Sequence, residues 1–229
     1  MRVAALPQRL VAEALGTALL LATVVGSGIM AERLCGGNDG LALLCNALAT
    51  GAGLVALILT FGPISGAHFN PVVTLAEGLE GQFAWREVPA YAAAQVGGGV
   101  MGVAVADLMF SLPAFTLSTH ARTGPALWLA EFVATFGLLA TILAVSRRRP
   151  AATPFAVAAY IVAAYWFTAS TSFANPAVTL ARALTDTFAG IRPEDVPGFV
   201  VAQLAGGLAA TLTFRWLVPA GPPPAGSQP

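Results

Sequence analysis

The sequence has no lysine and little charge of either sign: Asp, Glu, Lys and Arg make up 10% of its 229 residues, against roughly 25% in soluble domains. Its 11 basic and 11 acidic residues cancel, so no basic stripe is left to neutralise phosphates and a nucleic-acid partner is excluded. Two cysteines, Cys35 and Cys45, stand ten apart with no CxxC spacing and no histidine nearby. Neither a zinc site nor a disulfide framework follows from them. With two histidines in the chain, no nucleophile–base pair or metal-ligand set can be assembled, so the reading is not an enzyme and calls for no cofactor or metal. What is present is apolar: 57% of the residues are hydrophobic.

The apolar residues gather in stretches of about 20 residues, the length that crosses a bilayer, near 8–30, 41–61, 87–110, 125–146, 152–168 and 195–218. Six transmembrane helices are expected, the fifth running on toward Ala169 and Ser170. The first span lacks a following cleavage site and reads as a retained helix. Positive segments resist translocation, so the arginines orient the chain. With both termini inside, Arg2, Arg9, Arg86, Arg147, Arg148, Arg149 and Arg215 fall on the cytoplasmic side, and Arg33, Arg122, Arg182 and Arg192 on the outer side. The ending PAGPPPAGSQP cannot form a span and is expected to be a disordered cytoplasmic tail over 219–229, leaving one channel domain over 1–218.

Self-similarity divides that domain into repeats of about 8–110 and 123–218. VAEALGTALLLATVV (11–25) pairs with LAEFVATFGLLATIL (129–143), matching Glu13 to Glu131; NPVVTLAEGL (70–79) pairs with NPAVTLARAL (175–184); AQVGGGVMG (94–102) pairs with AQLAGGLAA (202–210). Each half holds three spans, an odd number, so the second half must enter the membrane from the opposite side. Such inverted repeats place functional sites near the midplane, where broken helices of the two halves meet. Asn70-Pro71 and Asn175-Pro176 fit that role: Asn is a strong N-cap and Pro suits the first helical position, so each pair starts a helix too short to span. Two facing helix N-termini would repel cations while leaving neutral solutes unaffected. The Asn70 and Asn175 amides would offer N–H donors to a passing hydroxyl.

SGAHFNPVVTLA and FANPAVTLA resemble the two signature loops of the major intrinsic protein family, the aquaporins and glycerol facilitators, and the likeness extends over residues 8–218. The resemblance implies an all-α hourglass of six transmembrane helices and two re-entrant half-helices, a pore in each subunit, and a homotetramer. It also implies a constriction at Asn70, Pro71, Val72, Asn175, Pro176 and Ala177. In the family an Arg usually follows the second Asn-Pro-Ala; here Val178 stands there. Carried over by spacing, the other members of the narrowest ring fall on Thr50, Ala163 and Ser172. Such a ring is wide and weakly polar, and pore diameter and lining set selectivity. The expected cargo is therefore water together with glycerol, urea and undissociated metalloid hydroxides such as arsenous acid.

Arg182, one turn beyond Val178, stands in for the missing Arg from an outer vestibule or snorkels to the interface. His68 lies on the cytoplasmic approach, as a pH-sensitive gate or a loop support. Glu13 and Glu131, deep in the first and fourth spans, must face protein or a cavity, and their repeat-related placement suits a structural role. The expected partners are membrane lipid, water and small neutral solutes, and short loops suggest a bacterial inner membrane. The alternatives are an ion-coupled secondary transporter, which inverted repeats also build, and a scaffold with a closed pore.

Overall fold

The computed structural model describes residues 4–218; the expected tail lies outside the described residues. Among the described residues all regular structure is helical. Its long elements are α1 (Leu6–Leu34), α2 (Asp39–Ser65), α4 (Val88–Met109), α5 (Pro125–Arg148), α6 (Thr153–Phe167) and α8 (Val196–Leu217), and the short ones are α3 (Pro71–Leu79) and α7 (Pro176–Arg182). With the single 3-10 turns that open the third, fifth and sixth, the long helices give six segments of 18 to 29 residues, apolar enough to cross a membrane. The fifth departs from expectation. It stops at Phe167, where Thr168 turns extended (φ −109°, ψ 132°), so Ala169 and Ser170 already belong to the loop that re-enters.

Helix directions follow from this order. Leu6 and Leu217 lie at one end of the bundle, called here the terminal end, and the α1–α2 turn and the 110–124 loop lie at the other. α1 packs on α2 and α4, α5 packs on α6 and α8, and α2 against α6 joins the halves. α3 and α7 are each flanked by α4 and α8 and touch each other.

Glycine sets how closely the long helices cross. A Cβ added to Gly98 would lie 2.2 Å from the Ala14 carbonyl oxygen, and one added to Gly102 would lie 2.1 Å from that of Ala18. In the second half the equivalent clash is Gly206 against the Phe132 carbonyl, at 2.3 Å. These contacts are with backbone, which no side-chain rotation relieves, so α1–α4 and α5–α8 can meet at this distance only with glycine there. Gly97, one residue away, would meet nothing within 4 Å. Gly98→Ala should therefore destabilise the detergent-solubilised protein by about 1–3 kcal/mol, as overpacking does. Gly97→Ala should leave the apparent melting midpoint unchanged or slightly raised. Equal midpoints for the two variants would contradict the close crossing.

Candidate functional site

Each half-helix is capped as its Asn-Pro sequence predicts. The Asn70 Oδ1 accepts the Val72 N–H at 2.9 Å, and the Asn175 Oδ1 accepts those of Ala177 and Val178 at 3.0 and 3.3 Å. The amide nitrogens reach across the molecule: Asn70 Nδ2 donates to the Ala174 carbonyl and Asn175 Nδ2 to the Phe69 carbonyl, both at 2.8 Å. Each amide thus commits one N–H to the opposite half and keeps its second, so the expected pair of free donors is one donor per residue.

The chain approaching each cap is strained. Gly66, Ala67 and Phe69 have φ of 92°, 51° and 50°, and at equivalent places Thr171, Ser172 and Ala174 have 62°, 53° and 48°. Left-handed non-glycine residues cost on the order of 1 kcal/mol each, and something must hold them. Glu13 and Glu131, both fully buried, do so. Glu13 accepts the N–H groups of His68 at 3.0 Å and Phe69 at 2.7 Å, together with the Ser65 hydroxyl at 2.6 Å and the Gln95 amide at 2.8 Å. Glu131 accepts those of Phe173 and Ala174, each at 2.9 Å, and the Gln203 amide at 2.6 Å. Gln95 and Gln203 also donate to Thr74 and Thr179, whose hydroxyls bond back to the Asn70 and Asn175 carbonyls. Each carboxylate thus accepts hydrogen bonds from the re-entrant loop of its own repeat.

Between the halves lies a cavity of about 320 Å³. Glu77, Ser146 and Thr153 line it at the terminal end, His68, Asn70 and Asn175 in the middle, and Thr50, Tyr165, Ser172, Val178 and Arg182 toward the far end. Of the four residues expected in the narrowest ring, Thr50, Ser172 and Val178 line the cavity. Ala163 does not: it is exposed on the outer side of α6, and Tyr165 occupies the wall, its hydroxyl 3.2 Å from that of Thr50. The spacing failed because α6 ends before the loop, shifting the inward-facing residue by two positions. The expected constriction is also narrowed in membership. Asn70 and Asn175 line the cavity, whereas Val72 points at Gly207 of α8 and Pro176 and Ala177 are buried. Pro71 is half-buried and is absent from the lining. Helical phase explains this: from each cap the wall takes positions i, i+3 and i+7, giving Asn70, Val73 and Glu77 on one half-helix and Asn175, Val178 and Arg182 on the other.

Arg182 does not snorkel. It is 3% exposed, its guanidinium carbon lies 3.4 Å from the Phe173 ring centroid, and its Nε donates to the Ala189 carbonyl. Among the described residues its terminal nitrogens take no hydrogen bond. His68 is held by Thr74, 3.1 Å from its Nδ1, and by the rings of Phe83 and Tyr91.

Six membrane-length segments in two inverted halves, with paired half-helices meeting tip to tip beside a largely apolar cavity that holds a few polar groups, are the architecture of a membrane channel. A family model described as Major intrinsic protein matches residues 1–162. The chain is 58% identical over 213 residues to aquaglyceroporin AqpS of Rhizobium meliloti, covering 93% of this chain and 91% of that protein. It is 32% identical over 240 residues to aquaporin AqpM of Methanothermobacter marburgensis, covering 93% and 98%. Its fold matches the X-ray structure of the aquaglyceroporin from Plasmodium falciparum with a TM-score of 0.73 at 20% identity, over 92% of this chain and 96% of that one. The chain belongs to the major intrinsic protein family, and it is an integral membrane channel for water and small solutes.

Glu13→Gln would turn an NH2 toward two of the four donors that the carboxylate now receives. Two buried groups left unpaired should cost about 2–6 kcal/mol in all, read as a lowered melting midpoint in detergent or loss of the monodisperse species. Ser65→Ala, which removes one donor, should cost about 1 kcal/mol. A Glu13→Gln protein as stable as the wild type would remove the supporting role.

Proposed function

We propose that the passage conducts small uncharged polar solutes, namely glycerol, urea and undissociated metalloid hydroxides such as arsenous acid, along with water. The observation that carries this reading is the pair Val178 and Arg182. Where a guanidinium usually narrows the ring there is an aliphatic side chain, and Arg182, attached a turn farther along α7, has its guanidinium drawn against Phe173 and the Ala189 carbonyl. The filter is then Thr50, Tyr165, Ser172 and Val178, with Arg182 at its outer edge. Hydroxyls supply its polarity, and a polyol can exchange hydrogen bonds with these in turn. AqpS, 58% identical and named an aquaglyceroporin, supports glycerol as a cargo.

The terminal end is assigned to the cytoplasm, because the Arg147–Arg149 run and Arg9, Arg86 and Arg215 gather there. A bacterial inner membrane is supported by the Rhizobium relative, and a homotetramer is the family expectation. An ion-coupled transporter is disfavoured, because the two midplane carboxylates are already occupied by three or four donors each.

Stopped-flow light scattering on proteoliposomes tests the reading, with water efflux under a sucrose gradient beside glycerol and urea entry. Fast glycerol entry is expected, lowered about tenfold or more by Val178→Arg, while water efflux persists. Fast water with no glycerol entry would overturn it. Arg182→Ala should change the glycerol-to-water ratio at least about threefold; an unchanged ratio would place Arg182 outside the filter.

A further inference from the structure

The i, i+3, i+7 rule that builds the wall has a counterpart in charge. Glu77 and Arg182 occupy equivalent places in the two repeats, the seventh residue after Asn70 and after Asn175, and both face the passage. One half-helix therefore ends its inward face on a carboxylate and the other on a guanidinium.

Toward the far end, the wall carries a cation, Arg182. Arg182 and Arg122 stand beside the same ring, with guanidinium carbons 3.4 and 5.1 Å from the Phe173 centroid. Both bond to backbone carbonyls, those of Ala189 and Gly190, and among the described residues neither side chain forms an ion pair with a carboxylate. The N-terminal end of α3 adds partial positive charge at the middle. Such a passage repels cations and, left at that, invites anions. At the terminal mouth, Glu77 stands in the wall with Ser146 and Thr153. Among the described residues no hydrogen bond or ion pair reaches its carboxylate, and the Thr153 hydroxyl is buried without a partner. The nearby cations are engaged elsewhere: Arg147 and Arg215 both pair with Glu80 and bond to the carbonyls of Phe214 and Leu79 respectively. Glu77 is the acidic side chain of the wall.

We propose that Glu77 is the anion barrier of this channel, a specificity-determining residue whose free carboxylate at one mouth opposes the attraction that Arg182 exerts from the other. The proposal rests on the reading of this cavity as the conducting passage. A negative charge at the mouth of a narrow passage acts well into it, because the low-dielectric walls focus its field along the opening.

The test measures chloride entry into proteoliposomes holding a halide-quenched fluorophore, with valinomycin and potassium to balance charge, and glycerol entry in the same vesicles. Wild type should match empty vesicles for chloride. Glu77→Gln and Glu77→Ala should each raise chloride entry about tenfold or more, and Glu77→Asp should keep it at background. Glu77→Cys should leak chloride until a sulfonate-bearing thiol reagent restores the negative charge, with treated wild type controlling for Cys35 and Cys45. Neutral variants that carry glycerol yet stay at background for chloride would overturn the proposal, as would a Glu77→Cys leak indifferent to the sulfonate. Failure of the conduction reading itself would show separately, as absence of glycerol entry through the wild type.

Discussion

Everything at the centre of this molecule depends on two carboxylates that accept hydrogen bonds where no water can supply them. The segments 66–69 and 171–174 run through mid-membrane in an unrepeating conformation, three of the four residues in each being left-handed. Within them the N–H groups of His68, Phe69, Phe173 and Ala174 have no backbone partner, and in hydrocarbon each would cost several kcal/mol. Glu13 and Glu131 take those N–H groups, and in doing so fix where Asn70 and Asn175 begin their helices. A neutral acceptor could take fewer bonds and hold them less strongly, since bonds to an ionised group are roughly twice as strong as those between neutral ones. The glycine crossings bring α1 to α4 and α5 to α8 closely enough for Gln95 and Gln203 to reach the same carboxylates.

Most of this was legible in the sequence, because each part has a one-dimensional signature. Length and apolarity marked the spans, an odd number of spans in each repeat required inversion, and Asn-Pro marked the half-helix starts. An isolated Glu at matching places in two spans could only be structural or functional. What escaped was what depends on helical phase and on where a helix ends. Ala163 was placed by counting back from Asn175 through a loop whose path no local signal defines, and the two-residue error put it on the outside in place of Tyr165. Val72 was expected at the constriction because the family resemblance carries over the three residues that open each signature, whereas phase turns it toward α8 and brings Val73 and Glu77 inward. The period was available: Asn, Val and an ionisable residue recur at i, i+3 and i+7 in both copies, and that pattern would have found Glu77.

Arg182 illustrates how context decides the role of a charged residue. Its length would let it reach the membrane surface, yet an aromatic face and a carbonyl hold it inside. Phe173, on which it rests, is itself fixed through its N–H to Glu131. The same carboxylate therefore sets both the start of α7 and, through Phe173, the position of the guanidinium near its end.

The equivalence of positions 77 and 182 also bears on why two similar halves are joined in one chain. An hourglass assembled from two identical copies would have a twofold axis in the membrane plane, and any residue placed in one mouth would appear in the other. Such a pore could be acidic at both ends or basic at both ends, but it could have no electrical polarity. Covalent fusion removes that restriction and lets the scaffold stay symmetric while the lining does not. In this chain the supporting Glu, Gln, Thr and Asn residues keep the symmetry, and the pair at the seventh position breaks it, so that the wall carries an acid on one half-helix and a base on the other.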